Sequence, residues 1–354
     1  MLLSIFAFIL VFSVIVLVHE WGHFMAARLA GVQVQEFGLG FPPRIKTLGV
    51  RKGVEYTLNA IPFGGFVRLY GETDPDMPGG FASRSAWVRI STYLAGPTMN
   101  LVLAAVLLIG MTMVDDQVLV GKVVVQAVAA NSPAALAGVQ PGDIILEMEG
   151  QELQNVGDLV ERTRVFLGKE VTLTLLRSDQ TVTVHLTPRK QPPAGEGAMG
   201  VVIGMQEGYT WKTVRHPIGE AIAIGLRQVW DILVVTVNGF VGLFRAILTP
   251  GSLLGPVGIF QAVGEVAHTG VGNLMRFTAL ISLNLFIFNL IPLPMLDGGQ
   301  IVSVLLEKLR GGKRIAPRDL EAVYYLGWLL LLSLVLWVTY FDIMRLFSGK
   351  SLLP

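Results

Sequence analysis

Two histidines four residues apart carry the first chemistry in this chain, in the run His19-Glu20-Trp21-Gly22-His23. On a helix, positions i and i+4 share one face, so both imidazoles can grip one Zn²⁺. Glu20 stands beside them as general base for a water activated by that metal. A hydrolytic zinc site takes three protein ligands and leaves the fourth position to water. The chain has no cysteine and only five histidines. The third ligand is therefore His, Asp or Glu, and choosing it requires the elements that position these groups. The missing cysteines also exclude disulfides, iron–sulfur clusters and thiolate catalysis.

Of 354 residues, 52% are hydrophobic and 15% charged, against about 25% charged in an average soluble domain. Mean hydropathy is +0.60. This excludes an ordinary cytosolic protein and a disordered one. A net charge of +1 gives no electrostatic case for nucleic-acid binding.

A span needs about 20 helical residues to cross roughly 30 Å of hydrocarbon. Four charge-free runs approach or reach that length: Met1 to Val18, Ile90 to Val114, Phe277 to Leu296 and Val323 to Phe341. The first lacks a basic n-region and a small-residue cleavage site, so it is expected to be a retained span. Residues 218–248 are apolar but interrupted by Arg227, Asp231 and Arg245. They suit an interfacial amphipathic helix better than a span. Ala246 to Gly264, with its prolines and glycines, is expected to be a bent segment at or in the membrane.

Arg28, Arg44, Lys46, Arg51, Lys52, Arg68, Arg84 and Arg89 lie between the first two runs. Lys308, Arg310, Lys313, Arg314 and Arg318 lie between the last two. The basic loops are expected on the cytoplasmic side, which requires an even number of crossings between them. Four spans satisfy this, with both termini and the 115–270 region outside. His185 then falls in a soluble stretch, and His216 and His268 near the outer surface. Asp297 remains. His19 lies about 18 residues into a span entering from outside and Asp297 about 20 residues into another, so at about 1.5 Å per residue they reach one depth. Pro292 and Pro294 predict a break in the helix before Asp297.

Residues 28–89 mix β-prone aromatics with Gly and Pro, in Phe37-Gly38-Leu39-Gly40-Phe41 and again in Tyr56 to Val67 through Phe63-Gly64-Gly65. Such runs suit membrane-associated hairpins with close backbone approach. Residues 117–206 regain ordinary charge density. There Ser132-Pro133 predicts a helix start and Gly138 its end. A second helix is predicted over Asp158 to Leu167. A hairpin is predicted from Glu170 to Arg177 and Thr181 to Leu186, around Ser178-Asp179-Gln180. The run Ser132-Pro133-Ala134-Ala135 through Ala137-Gly138-Val139 and Pro141-Gly142-Asp143 to Ile145 resembles the bacterial PDZ domain. That resemblance implies a groove binding a peptide, such as a C-terminus, as an added strand. Met199 to Gly204 is the expected strand and loop beside it.

His19-Glu20-x-x-His23 together with Asn289-x-x-Pro292-x-Pro294-x-Leu296-Asp297-Gly298 resembles the site-2 protease family of intramembrane zinc metalloproteases. Ala95-Gly96-Pro97-x-x-Asn100, Gly255-Pro256-Val257-Gly258-Ile259 and Gly38-x-Gly40 add to the likeness. It covers nearly the whole chain and is nearest to the bacterial regulator-of-sigma-E protease type, here with one PDZ domain. The resemblance implies His19, His23 and Asp297 as zinc ligands and Glu20 as the catalytic base. It implies Asn289 as a substrate-backbone contact and the glycine-rich hairpins, with Gly38, Gly40, Phe63, Gly64 and Gly65, as a re-entrant substrate-binding region. It implies single-span membrane substrates, such as anti-sigma factors or remnant signal peptides, cut after a first extracytoplasmic cleavage.

The expected fold is therefore a multi-pass α-helical protein of the bacterial cytoplasmic membrane with one inserted extracytoplasmic α+β PDZ domain at 117–206. Its expected parts are a first span over 1–27, hairpins over 28–89 and a second span over 90–114. An interfacial region over 211–270 follows, then a third span over 273–298, a cytoplasmic loop over 299–321 and a fourth span over 322–343. The lipid bilayer is an expected partner, and the active site is expected near the cytoplasmic side.

Overall fold

The computed structural model describes residues 1–74, 76–193, 195–206, 208, 210–245, 255–312 and 317–347. It divides into two compact units, Met1–Met113 with His216–Pro354, and Val114–Arg215.

The first unit begins with α1 (Leu2–Leu29), β1 (Val34–Arg51), β2 (Val54–Leu69) and α2 (Ala86–Val114). In the second unit follow β3 (Asp116–Val120), β4 (Val123–Val128), α3 (Pro133–Leu136), β5 (Ile144–Met148) and β6 (Gln151–Glu152). It continues with α4 (Val156–Val165), β7 (Val171–Arg177), β8 (Gln180–Leu186), β9 (Val201–Met205) and β10 (Thr210–Val214). The first unit resumes with α5 (Ile218–Arg245), α6 (Pro256–Thr269), α7 (Val271–Leu290), α8 (Asp297–Leu309) and α9 (Pro317–Phe347). Among the described residues, four helical stretches are long and apolar enough to cross a membrane: Leu2–Leu29, Ala86–Val114, Val271–Leu290 and Ala322–Arg345. The chain is an integral membrane protein.

Lipid tails are as apolar as leucine, so helices in a bilayer gain little from burying leucine and associate through small residues that let backbones approach. Gly22 of α1 lies against the Ala95 carbonyl of α2, where a Cβ would have no room. Gly264 of α6 faces Ser4 of α1, and Gly225 of α5 faces the backbone of Ile109 in α2. Ala7, Val11 and Ile15, one helical turn apart, carry the buried face of α1 onto Val263 of α6 and Ile281 of α7. Val229 of α5 packs among Ala104, Leu108, Ala279 and Leu283. Asp342 of α9, fully buried, accepts the Gly258 N–H at 2.8 Å and so caps the first turn of α6.

The expected bent segment over Ala246 to Gly264 lies outside the described residues as far as residue 254. From Pro256 it is a regular helix packed against α1. Within the stretch expected as the third span, over 273–298, the helix is interrupted where Pro292 and Pro294 predict a break. Helix α7 stops at Leu290, because Ile291 is extended at φ −63°, ψ 137°. Residues 291–296 form a turn with Met295 at φ 82°, and α8 begins at Asp297. Pro292 and Pro294 offer no N–H to continue the helix.

The hairpins at 28–89 form more than a simple pair. Residues Glu36 to Leu39 of β1 pair on one side with Glu55 to Leu58 and on the other with Gly65 to Arg68. They are thus a central strand flanked by two stretches of β2. A fully buried Glu36 pins this sheet: it accepts from Thr57 Oγ1 at 2.7 Å and pairs with Arg44 and Arg68 at 2.7 and 3.2 Å.

In the second unit the main sheet runs β8-β7-β5-β4-β9, with β6 on β5, and β10 pairs separately with β3. Val123, Ile145, Met148, Leu159, Leu173 and Leu175 fill its core. Ser132 Oγ accepts the Ala135 N–H at the start of α3. Gly138, at φ 80°, ends that turn, in a conformation that favours glycine. Helix α4 starts two residues before the expected Asp158, because Asn155 caps it by accepting the Asp158 N–H. The β7–β8 turn is Ser178-Asp179 alone, both at positive φ, with Gln180 already paired to Arg177. A two-residue turn of that kind matches the strand twist.

Candidate metal centre

Helices α1, α2 and α8 build the site. His19 and His23 project from one face of α1, and the turn at 291–296 delivers Asp297 to them at the first position of α8. His19 Nε2 lies 3.2 Å from one Asp297 oxygen, His23 Nε2 lies 3.4 Å from the other, and the two Nε2 atoms are 3.1 Å apart. Their side chains are 12 to 14% exposed.

A tetrahedral zinc with bonds of about 2.0–2.1 Å has donor-to-donor edges of about 3.3 Å. The observed separations are close to that edge length, with the two histidines facing different oxygens of Asp297, and one ligand atom from each residue lies within 4.8 Å of the others. Two facing imidazole nitrogens and a carboxylate need a shared cation, or protons, to sit so close. His19, His23 and Asp297 could therefore hold Zn²⁺, with a fourth position left open. Among the described residues they are the one His/Cys/Asp/Glu group whose donor atoms converge in this way.

Helix α2 sets the imidazoles. His23 Nδ1 lies 2.8 Å from the Thr92 carbonyl. A carbonyl only accepts, so Nδ1 carries the proton and the Nε2 lone pair stays free for a metal. Asn100 approaches His19 Nδ1 at 3.3 Å. Between them Gly96 lies against both rings, where a Cβ would sit 2.5 Å from His23 Cε1 and 2.9 Å from His19 Cε1. Thr92, Gly96 and Asn100 follow at intervals of four, down one helix face. Sequence reasoning missed Thr92 as part of the site and noted Gly96 and Asn100 only as motif members. The four-residue spacing was the available signal.

Glu20 is half-buried on α1, next to His19 in the chain. Residues Gly64 to Val67 run along α1: Gly64 lies against Val16, Gly65 against Leu17, and Ser13 donates to the Pro62 carbonyl at 3.1 Å. The ladder partners of Gly65, Phe66 and Val67 all lie in β1, on one side of this stretch. Gly38 was expected in the substrate-binding hairpin region. It pairs with Phe66 on one side and Thr57 on the other, so its backbone is already used. Gly40, at φ 77°, is tucked against the Asn59 and Ile61 carbonyls. The side chain of Phe63 lies outside the described residues. Asn289 sits in the last turn of α7, half-buried. The break at 291–296 separates it from Asp297, so no shared helical face relates them.

His185 is elsewhere, 3.2 Å from Thr172 Oγ1 in the second unit, and His216 lies 3.5 Å from Glu220. In the second unit a groove of about 260 Å³ runs between α4 and β9, lined by Leu159, Thr163, Met199, Val201 and Ile203, with Arg164 also at its wall.

Known proteins resemble this chain along its whole length. A relative from Nostoc sp. is 35% identical over 350 residues, covering 94% of this chain and 93% of its own. The zinc metalloprotease RasP of Bacillus licheniformis is 29% identical, covering 97% and 99%. The regulator of sigma-W protease RasP of Bacillus subtilis is 27% identical with the same coverage. The PDZ domain of an SdrC-like protein from Listeria monocytogenes overlays 23% of this chain and 85% of its own, at 20% identity and a TM-score of 0.21. The pattern of peptidase family M50 matches residues 7–334, taking in the histidine-bearing α1 and the aspartate-bearing α8, and the chain belongs to that family.

Proposed function

We propose that this zinc metalloprotease hydrolyses peptide bonds inside the transmembrane segments of single-span proteins. The observation that carries the reading is the convergence of His19, His23 and Asp297 in a membrane-spanning unit, beside the β2 stretch Gly64 to Val67.

His19, His23 and Asp297 hold the zinc. When bound, that ion polarises the scissile carbonyl and makes a water acidic near neutral pH. Glu20 takes the proton from the attacking water and delivers it to the leaving amine nitrogen. A transmembrane helix hides its peptide bonds in i to i−4 hydrogen bonds. It must be extended before it can be cut, and each backbone group left unpaired in lipid costs several kcal/mol. Strand addition along Gly64 to Val67 replaces those bonds next to Glu20. Gly38 and Gly40 support that stretch from behind, Phe63 and Gly64 begin it, and Asn289 contacts the substrate backbone.

The second unit is read as the PDZ domain, placed extracytoplasmically by the distribution of basic residues, with the active site near the cytoplasmic side of the bacterial inner membrane. Its α4–β9 groove takes a peptide C-terminus and screens substrates already trimmed outside. The sigma-W regulator name of the Bacillus subtilis relative supports anti-sigma factors as one substrate class, with remnant signal peptides as another.

The test is cleavage of a truncated single-span substrate by the purified full chain in liposomes, wild type against Glu20→Gln. Wild type is expected to cut within the span, and Glu20→Gln to lose about 10²–10⁴-fold in rate with its zinc retained. Equal cleavage by the two proteins would sink the mechanism.

A further inference from the structure

The two zinc-binding histidines are oriented by different kinds of partner. His23 Nδ1 meets a backbone carbonyl, that of Thr92. His19 Nδ1 meets a side chain, the carboxamide of Asn100, at 3.3 Å. Asn100 is 1% exposed, and its position is fixed from a third helix, since Ser282 of α7 donates its hydroxyl to the Asn100 backbone carbonyl at 2.8 Å.

The amide as oriented gives an inconsistent chemistry. Its Nδ2 faces His19 Nδ1, which makes that nitrogen the acceptor and puts the imidazole proton on Nε2. Yet Nε2 is the atom that converges with His23 Nε2 and Asp297, and a protonated nitrogen cannot bind a metal. Meanwhile Asn100 Oδ1 is buried with no donor among the described residues. The oxygen and nitrogen of a carboxamide are nearly interchangeable in shape, and their assignment follows from the hydrogen bonds they make. Exchanging them aims the oxygen at His19 Nδ1–H and frees the Nε2 lone pair.

Resting on the zinc reading of His19, His23 and Asp297, we infer that Asn100 is a positioning residue that fixes the tautomer of His19: its Oδ1 accepts the Nδ1–H and leaves Nε2 for the metal. Partners of this kind orient a metal-binding imidazole and raise its basicity, and their loss costs about ten- to a hundredfold in metal affinity. Helix α2 then orients both imidazoles, through Thr92 for His23 and Asn100 for His19.

Zinc affinity of the full chain in detergent, measured by competition with a chromophoric chelator, tests this without any substrate. Asn100→Leu, which keeps the bulk and removes the acceptor, is expected to weaken zinc binding about ten- to a hundredfold. Asn100→Asp, which keeps an acceptor, is expected to stay within about threefold of wild type, a rescue that a merely packing role does not produce. Zinc binding by Asn100→Leu equal to wild type, or equal losses in the Leu and Asp variants, overturns the inference. If Asn100→Leu does not fold, ¹⁵N-histidine NMR of the metal-free wild type reads the tautomer directly. A proton on Nδ1 of His19 is expected, and a proton on Nε2 overturns the proposal. His23→Ala separates the two levels: if wild type binds zinc no better than His23→Ala, the metal site itself is wrong, whatever Asn100 does.

Discussion

His23 donates its Nδ1–H to the Thr92 carbonyl at 2.8 Å, across 69 positions of sequence. One backbone oxygen of α2 thereby chooses which imidazole nitrogen is offered at the site. No side-chain substitution removes that partner, so the approach of α2 to α1 is the variable open to test.

Gly96 governs that approach. An ordinary Gly→Ala change inside a helix stabilises by about 1 kcal/mol. Here the new Cβ would press on Cε1 of both His19 and His23. Gly96→Ala is expected to lower zinc affinity by at least about tenfold, read by chelator competition. Unchanged affinity would mean that the two helices can separate freely.

Arg89 of α2 donates to Glu307 of α8 at 2.8 Å, both partly buried, and Lys308 lies 4.1 Å over the Trp87 ring. These contacts hold the helix whose first residue is Asp297. Arg89→Ala and Glu307→Ala are each expected to lower peptidase rate and zinc occupancy. The double variant should be scarcely worse than either single one, with a coupling of about 0.5–3 kcal/mol in a double-mutant cycle. Additive losses would show that the pair does not act as a unit.

Acid should loosen the second unit through Asp143. Burial opposes the charge on that carboxylate. The Arg177 hydrogen bonds at 2.6 and 2.7 Å, the Gln140 N–H and the Arg177 charge outweigh it and hold the carboxyl below its usual range. A lowered folded pKa means a contribution that is present above the unfolded value of about 3.9 and lost as pH falls through the folded one. Protection of the β5 and β7 amides in the full chain, taken relative to the intrinsic exchange rate at each pH, should therefore fall below about pH 4. Asp143→Asn should exchange faster at neutral pH and lose that acid step.

Orientation is testable because the chain has no cysteine of its own. A single cysteine replacing Arg310, exposed at the end of α8, should react with an impermeant thiol reagent only after the cells are opened. One replacing Ser178, exposed in the β7–β8 turn, should react in intact cells. Labelling of the first from outside would overturn the four-span orientation.

The legible parts of the site were those encoded locally. His19 and His23 announce themselves, because a spacing of four puts them on one face whatever surrounds them. Asp297 was reached by elimination and by counting depth along a span. Pro292 and Pro294 marked the break before it, but proline alone did not specify the path of that break, in which Ile291 is extended and Met295 is left-handed. Thr92 and Asn100 act on residues 69 and 81 positions away, so only the packing of two helices gives them meaning. The β-prone hairpin segments were visible as composition. Their register was not, because Glu36 to Leu39 pair on both sides through an irregular ladder. That pairing occupies the Gly38 backbone on both sides.

Two of the converging groups lie on the first helix, and the third opens the eighth. A chain emerging from the ribosome with only α1 and α2 inserted carries both imidazoles and their orienting helix but no carboxylate to complete them. On the proposed zinc reading, peptidase activity would wait until the 291–296 turn has been made and α8 has docked on α2, after three of the four candidate spans have been synthesised.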